Sequence, residues 1–460
     1  MNCFRKQPLV RIRQEAEELS LKKSLNVYDL IMLGIGAIIG VGAFVLTGIA
    51  AARYAGPAIT TSYLISGFVC LFVGLLYVEL AGIVPASGSS YSYAYASMGE
   101  IVAWFVFWFM MMEYTTGSSM IAVGWGGYLS GMLKTAGFAI PKYLELTPFE
   151  GGLFNLPAFL IVWFVTILLI KGTKESSLFN IILVLIKVIA IVIFLIIAIP
   201  HFNFEYWENF MPYGARGVGT GAATLILAYA GFDQLASTTE EAKNPKRDLP
   251  IAMFSSLVIC ALIYMSIAAA LTLIVPYKTL DNAEPMAYAL RANGSLVGSG
   301  LVAIGAIAGI TTSLIVQIFG QSRTIFAISR DGLIPSKLSK VNKKFGTPVV
   351  STIFVGIVVS LIAALVPLDF VGKLANIGTL VSFITVAIGV VIMRITYPNA
   401  ERSFRCPAIW LIAPIALISC IYLLGDLLIT TWDVCLIWVA LGLILYFGYG
   451  FKHSLLSKKH

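Results

Sequence analysis

The chain has 460 residues, 59% of them apolar and only 12% charged, with a formal net charge of +8. A composition this apolar excludes an ordinary soluble enzyme and describes a protein that crosses a bilayer repeatedly. The positive charge reflects where basic residues fall around the apolar runs, beside anionic lipid, and gives no reason to invoke nucleic acid.

Reading apolar runs of roughly 17 or more residues between polar breaks gives twelve candidate spans. They lie at about 29–53, 58–84, 101–124, 153–170, 178–199, 216–238, 250–275, 297–320, 348–367, 374–394, 407–427 and 432–450. The expected fold is an all-α integral membrane protein. Ahead of the runs, a tail over residues 1–27 mixes Arg5, Lys6, Arg11 and Arg13 with Glu15, Glu17 and Glu18. It reads as a surface segment, a short amphipathic helix, and is longer and more charged than the start of a cleavable signal. Placing both termini in the cytoplasm puts 23 of the 31 basic residues inside and seven outside, with Lys187 within a run. That asymmetry predicts a multi-pass plasma-membrane protein with cytoplasmic tails at 1–27 and 451–460. The connection from Pro85 to Glu100 carries no basic residue, so the rule is silent there. Six scattered cysteines show no ligand spacing, and neither a metal site, a disulfide framework nor a cofactor is expected.

The first run contains Gly34, Gly36, Gly40 and Gly42 within nine positions. Each glycine costs a helix about 1 kcal/mol against alanine, and each lets other groups approach the backbone closely. Backbone leaves the helix at membrane depth only where it lines a cavity or is buried in protein. The run is therefore expected to break and to help form a binding site; close helix packing is the alternative. After the second run comes Ser87 to Tyr95, rich in serine and tyrosine, which suits an interfacial or re-entrant piece. The third run carries Glu113 and the fifth carries Lys187 near its centre. Ionisable groups at that depth usually face a cavity or a partner, and a structural ion pair is the plainer account of each.

The sixth run is the other interrupted one, from Gly217 through Gly231-Phe232-Asp233. Two broken runs five apart point to an inverted repeat, residues 28–199 against 215–394, with its site at the two breaks. Two further helices over 405–450 lie outside the repeat, as scaffold or contact surface. The eighth run holds Thr311, Thr312, Ser313 and Gln317, and leads into Arg323…Ala327-Ile328-Ser329-Arg330-Asp331-Gly332.

Those residues, with Pro85-Ala86-Ser87-Gly88-Ser89 and Glu240-Glu241-Ala242-Lys243-Asn244-Pro245, resemble the amino acid–polyamine–organocation superfamily. The likeness is to its cationic amino acid transporter branch and bacterial permeases, and it covers nearly the whole chain. It implies a leucine-transporter-type fold in which spans 1, 2, 6 and 7 rock against spans 3–5 and 8–10. It also implies a free L-amino acid as cargo, neutral and cationic ones included, and leaves room for a small single-span subunit of which the sequence carries no sign. Val41 and Gln317 depart from the residues common in the bacterial permeases, threonine and methionine.

On that model the substrate carboxylate meets N–H groups of Gly40, Val41, Gly42 and Ala43, at a helix start. Carbonyls from Ala228 to Ala230 accept from its ammonium, and Phe232, Ile38, Ile39 and Gln317 line the side-chain pocket. For Phe232, ordinary core packing is the alternative. Lys187 matches a fifth-span lysine that proton-coupled relatives place where sodium-coupled ones hold a cation. Taking an ammonium out of water disfavours its charged form, so such a lysine can gain and lose a proton. Glu113 and Asp233 are candidates for offsetting this charge or that of the substrate. Thr311, Thr312 and Ser313 keep a sodium site open, and ion-independent exchange is a further alternative. An intramembrane enzyme or receptor finds no HExxH, no GxSxG in a cavity and no ATP-binding loop to support it.

Overall fold

A computed structural model describes residues 5–6, 25–84, 89–171, 177–237, 242–342 and 347–455. The expected helix of the N-terminal tail, the Pro85–Gly88 part of the serine-rich motif and Glu240-Glu241 lie outside these residues. Among the described residues the protein is helical, apart from one isolated bridge between Leu25 and Ala242.

Each of the twelve apolar runs is helical over most of its length. Seven helical segments are long and apolar enough to cross a membrane, and three shorter apolar helices accompany them, Val27–Ile38, Leu156–Lys171 and Val349–Leu365. The first run starts on a capping box, with Asn26 accepting from the Tyr28 and Asp29 backbones while Asp29 reaches back to the Asn26 N–H. It stops at Ile38 and resumes past Gly40 as π and α turns from Gly42 to Ala55. The sixth run divides into Gly214–Tyr229 and Phe232–Ser237. Ser89–Ser97, expected to be interfacial, forms a buried helix packed on the third run.

The densest packing falls into two groups. The seventh run, Pro245–Ile274, lies against the first and second, and the second against the sixth. The third run, Glu100–Thr135, lies against the eighth (Leu296–Arg330), tenth (Leu368–Thr396), ninth and fourth. The twelfth run attaches to the outside of the third through a stacked pair, Trp108 and Trp438, with ring centroids 4.5 Å apart. Elsewhere the eleventh and twelfth runs present exposed apolar residues such as Trp410, Tyr422 and Ile437, as a lipid-facing surface would.

One end of the bundle is locked by charge. Glu79, fully buried on the second run, receives Arg394 Nε at 2.5 Å and Nη2 at 2.7 Å. Arg402 lies 3.2 Å away, and the Cys406 N–H donates to the same carboxylate at 2.8 Å. At that end, too, buried Glu100 accepts from Tyr95, Tyr446 and Ser454 hydroxyls, so chain segments on both sides of the bundle close over it. Removing one member of a buried ion pair strands the others. Glu79→Ala is expected to destabilise the protein by roughly 3–5 kcal/mol, read as a drop in the thermal midpoint of the purified protein.

Candidate functional site

The two breaks face each other. At the first, Ile39 is extended, with φ −72° and ψ 104°, so the chain turns out of the helix before Val41 starts the next turns. The first N–H groups of a helix have no acceptor within it, which leaves the Val41 and Gly42 donors without an intrahelical partner beside the break. Ala43, expected to be a third, donates to the Gly40 carbonyl at 3.2 Å. At the second break, Gly231 has φ +112°, a conformation that only glycine adopts without strain. A Cβ there would also stand 2.7 Å from the Ala37 carbonyl oxygen. The Gly231 N–H is capped by Asp233 Oδ1 at 3.2 Å.

Close approach holds the halves together. A Cβ on Gly42 would lie 2.5 Å from both Cα and Cβ of Ala228, and one on Gly40 would lie 2.7 Å from Ser313 Oγ. The glycines therefore serve both readings of the sequence: the chain breaks at Ile39–Gly40, and Gly42 packs directly on the sixth run.

Lys187 is fully buried and joins this site from the fifth run. Its Nζ donates to Gly36 O at 2.6 Å and Ile39 O at 2.7 Å, the carbonyls left open where the first helix ends. Its stem crosses the eighth run at Gly309, where an added Cβ would meet Lys187 Cβ at 2.8 Å. The ammonium thus stands between the first and eighth runs. Among the described residues no carboxylate pairs with it.

Glu113 and Asp233 stand apart from Lys187, although Asp233 caps the Gly231 N–H at the second break. Half-buried Glu113 packs on the tenth run at Gly378, within interaction range of Asp233 and the Thr379 hydroxyl. These carboxylates face each other and form no ion pair with Lys187. The three hydroxyls considered for sodium turn to their own helix: Thr311 to Ile307 O, and Thr312 and Ser313 to Gly309 O. Thr311 also accepts from Trp125 Nε1 at 3.0 Å.

Of the expected pocket wall, Ile38 and Ile39 line the first break and are buried. Phe232 is wholly buried in an aromatic cluster, edge-on to Tyr77 at 5.6 Å and tilted on Phe383 at 5.3 Å. That is the packing alternative. Gln317 lies one turn beyond Ser313 on the eighth run, opposite Gly117. Its Oε1 is buried and has no hydrogen-bond partner among the described residues.

Two residues that sequence reasoning passed over complete the site. Tyr264, from the seventh run, donates from one hydroxyl towards both breaks, with Ile38 O at 2.9 Å and Ala228 O at 2.8 Å. Asn376, fully buried on the tenth run, accepts from the Leu227 N–H at 2.7 Å and donates to Thr224 O at 3.0 Å, bracing the sixth run just before its break. At the far end of the first run Arg53 reaches Asp281 and Asp369, and Tyr54 donates to Asp369 at 2.7 Å, drawing the first and tenth runs together.

Paired helix breaks, open backbone groups and a buried cation among apolar helices define a membrane transporter rather than an enzyme. The chain belongs to the amino acid permease family, whose model matches residues 25–445. It is 40% identical to the branched-chain amino acid permease BcaP of Bacillus subtilis, over 99% of both chains. It is 38% identical to the methylthioribose transporter of the same organism, over 99% of this chain and 100% of the relative. Against the mitochondrial cationic amino acid transporter 3 of Arabidopsis thaliana the identity is 35%, over 83% of this chain and 64% of the relative.

Proposed function

We propose that this chain is a proton-coupled symporter of L-amino acids with twelve spans arranged as two inverted five-helix repeats and two extra helices. Both termini face the cytoplasm, and the chain works by alternating access. The observation that carries the coupling is Lys187 Nζ on the Gly36 and Ile39 carbonyls. Protonated, the lysine holds the first break to the fifth and eighth runs. Deprotonated, it loses its charge and one of its three N–H donors, its hold on the two carbonyls weakens, and the break is freed to move with the runs packed on it. Substrate carboxylate sits on the Val41 and Gly42 N–H groups, and its ammonium on carbonyls from Ala228 to Ala230. Glu113 and Asp233, the latter at the second break, form a second stop for a proton.

Sodium symport is the second reading, and it is weaker because a lysine ammonium already occupies the space between the first and eighth runs. Ion-independent exchange would show as counterflow that an imposed pH difference leaves unchanged. The general test is purified protein in liposomes carrying labelled L-amino acid down its own gradient; no uptake of any amino acid contradicts the proposal.

Cargo follows from Gln317. A buried amide without a partner costs on the order of 1–3 kcal/mol, and a substrate tail bearing a donor would satisfy its Oε1 where leucine could not. The relatives named for branched-chain and for cationic amino acids bracket this range. We expect longer polar or cationic amino acids to compete alongside small neutral ones. Gln317→Met should lose arginine, lysine and glutamine as competitors while alanine still competes; an unchanged ranking contradicts this role.

A further inference from the structure

The stretch from Arg323 to Gly332 takes no part in the site described above. Arg323 lies about two turns before the end of the Leu296–Arg330 helix, at the end of the bundle that carries the Glu79 clamp. It borders a cavity of about 70 Å³ between the fourth, eighth and ninth runs. The floor is buried, with Ser322 3%, Thr347 9% and Thr352 2% exposed, whereas Phe319 at the rim is 46% exposed. The guanidinium lies over the Phe319 ring, 4.8 Å from its centroid.

The floor hydroxyls are spent inside the protein: Ser322 donates to Phe319 O, Thr347 to Ile170 O and Thr352 to Pro348 O. Arg323, itself exposed, is therefore the unspent donor bordering the cleft. Among the described residues it has no ion pair, and acids of the same end are engaged elsewhere. Glu79 holds Arg394 and Arg402, Glu100 is ringed by hydroxyls, and Asp331 accepts from Tyr91. Lys171, exposed, follows Ile170, whose carbonyl takes the Thr347 hydroxyl, so its long side chain starts beside the cleft floor. A forked cation over an exposed aromatic near the end of a long apolar helix is matched by a phosphate with an acyl chain attached.

We propose that this cleft holds the headgroup of an anionic phospholipid of the inner leaflet, its phosphate on Arg323 with Lys171 beside it and an acyl chain along Phe319. Such a lipid pins the fourth, eighth and ninth runs together. The site does not depend on which cargo is carried, so it stands or falls separately from the transport reading.

The test is the thermal midpoint of the full-length protein in detergent with added phosphatidylglycerol, phosphatidylcholine or inorganic phosphate. Wild type should gain stability from phosphatidylglycerol and not from the other two. Arg323→Gln should lose half or more of that gain, and Arg323→Lys should keep most of it. Should Arg323→Gln fail to fold, Lys171→Gln reads the same difference as a reduced gain. An equal gain in wild type and in the variant that folds overturns the proposal. So does an equal gain from phosphatidylcholine, or from inorganic phosphate, which would make the ligand a soluble anion.

Discussion

Lys187→Ala abolishes the accumulation of substrate driven by an inward proton gradient, while the protein still folds and inserts. Wild-type liposomes under such a gradient should concentrate labelled amino acid; those holding the variant should stop at equal concentrations inside and out. The reason is the position of the ammonium, wholly buried and bonded to two carbonyls of the first break. The alanine variant leaves both carbonyls without that donor, at about 1–3 kcal/mol for each unpaired group. A twelve-run bundle with its second, sixth and seventh runs interlocked survives that loss. On the proposed mechanism, what it does not keep is the group that carries the proton at the first break. Concentrative uptake equal to wild type would remove Lys187 from the mechanism.

The second large effect belongs to Gly42→Val, which should leave no measurable substrate binding in purified, correctly inserted protein. Any side chain at this position meets the Cα and Cβ of Ala228, main-chain neighbours that cannot rotate away. Valine, branched at Cβ, adds a second methyl to the conflict. The two breaks are forced apart, and the N–H groups at Val41 and Gly42 no longer face the carbonyls near Ala228. Gly40→Ala should be milder, because its near neighbour is the hydroxyl of Ser313, which can swing aside. Near-normal substrate binding by the folded Gly42→Val variant would show that the close approach of the two breaks is not needed.

These expectations draw on features that the sequence shows unequally. Helix breaks show in composition, since clustered glycines in an apolar run mark a break, a close packing contact or both, and both broken runs are found where glycine spacing puts them. A lone lysine amid aliphatic residues is equally plain. Tyr264 is not: a tyrosine in an apolar run looks like core until the carbonyls it meets, Ile38 and Ala228, are known to lie 190 residues apart from one another in the chain yet together in space. Asn376 is silent for the same reason, because its partners at Thr224 and Leu227 belong to another helix. Phe232 shows the opposite failure. Its place beside a glycine break suggested a pocket wall, but side-chain direction decides the matter, and its ring turns into Tyr77 and Phe383. Depth marks Glu113 and Asp233 as candidates for offsetting Lys187 or the substrate ammonium, but does not fix which face of a helix a carboxylate occupies, and neither pairs with Lys187.

The measurement that bears most directly on proton-coupled transport through this site uses wild-type protein in liposomes that enclose a pH-sensitive dye. No pH difference is imposed, and an L-amino acid that the competition panel shows to be cargo is added outside. Symport predicts that the lumen acidifies as the amino acid enters, in proportion to uptake, and that Lys187→Ala shows no such acidification. Amino acid entry with the internal pH unchanged would contradict proton coupling.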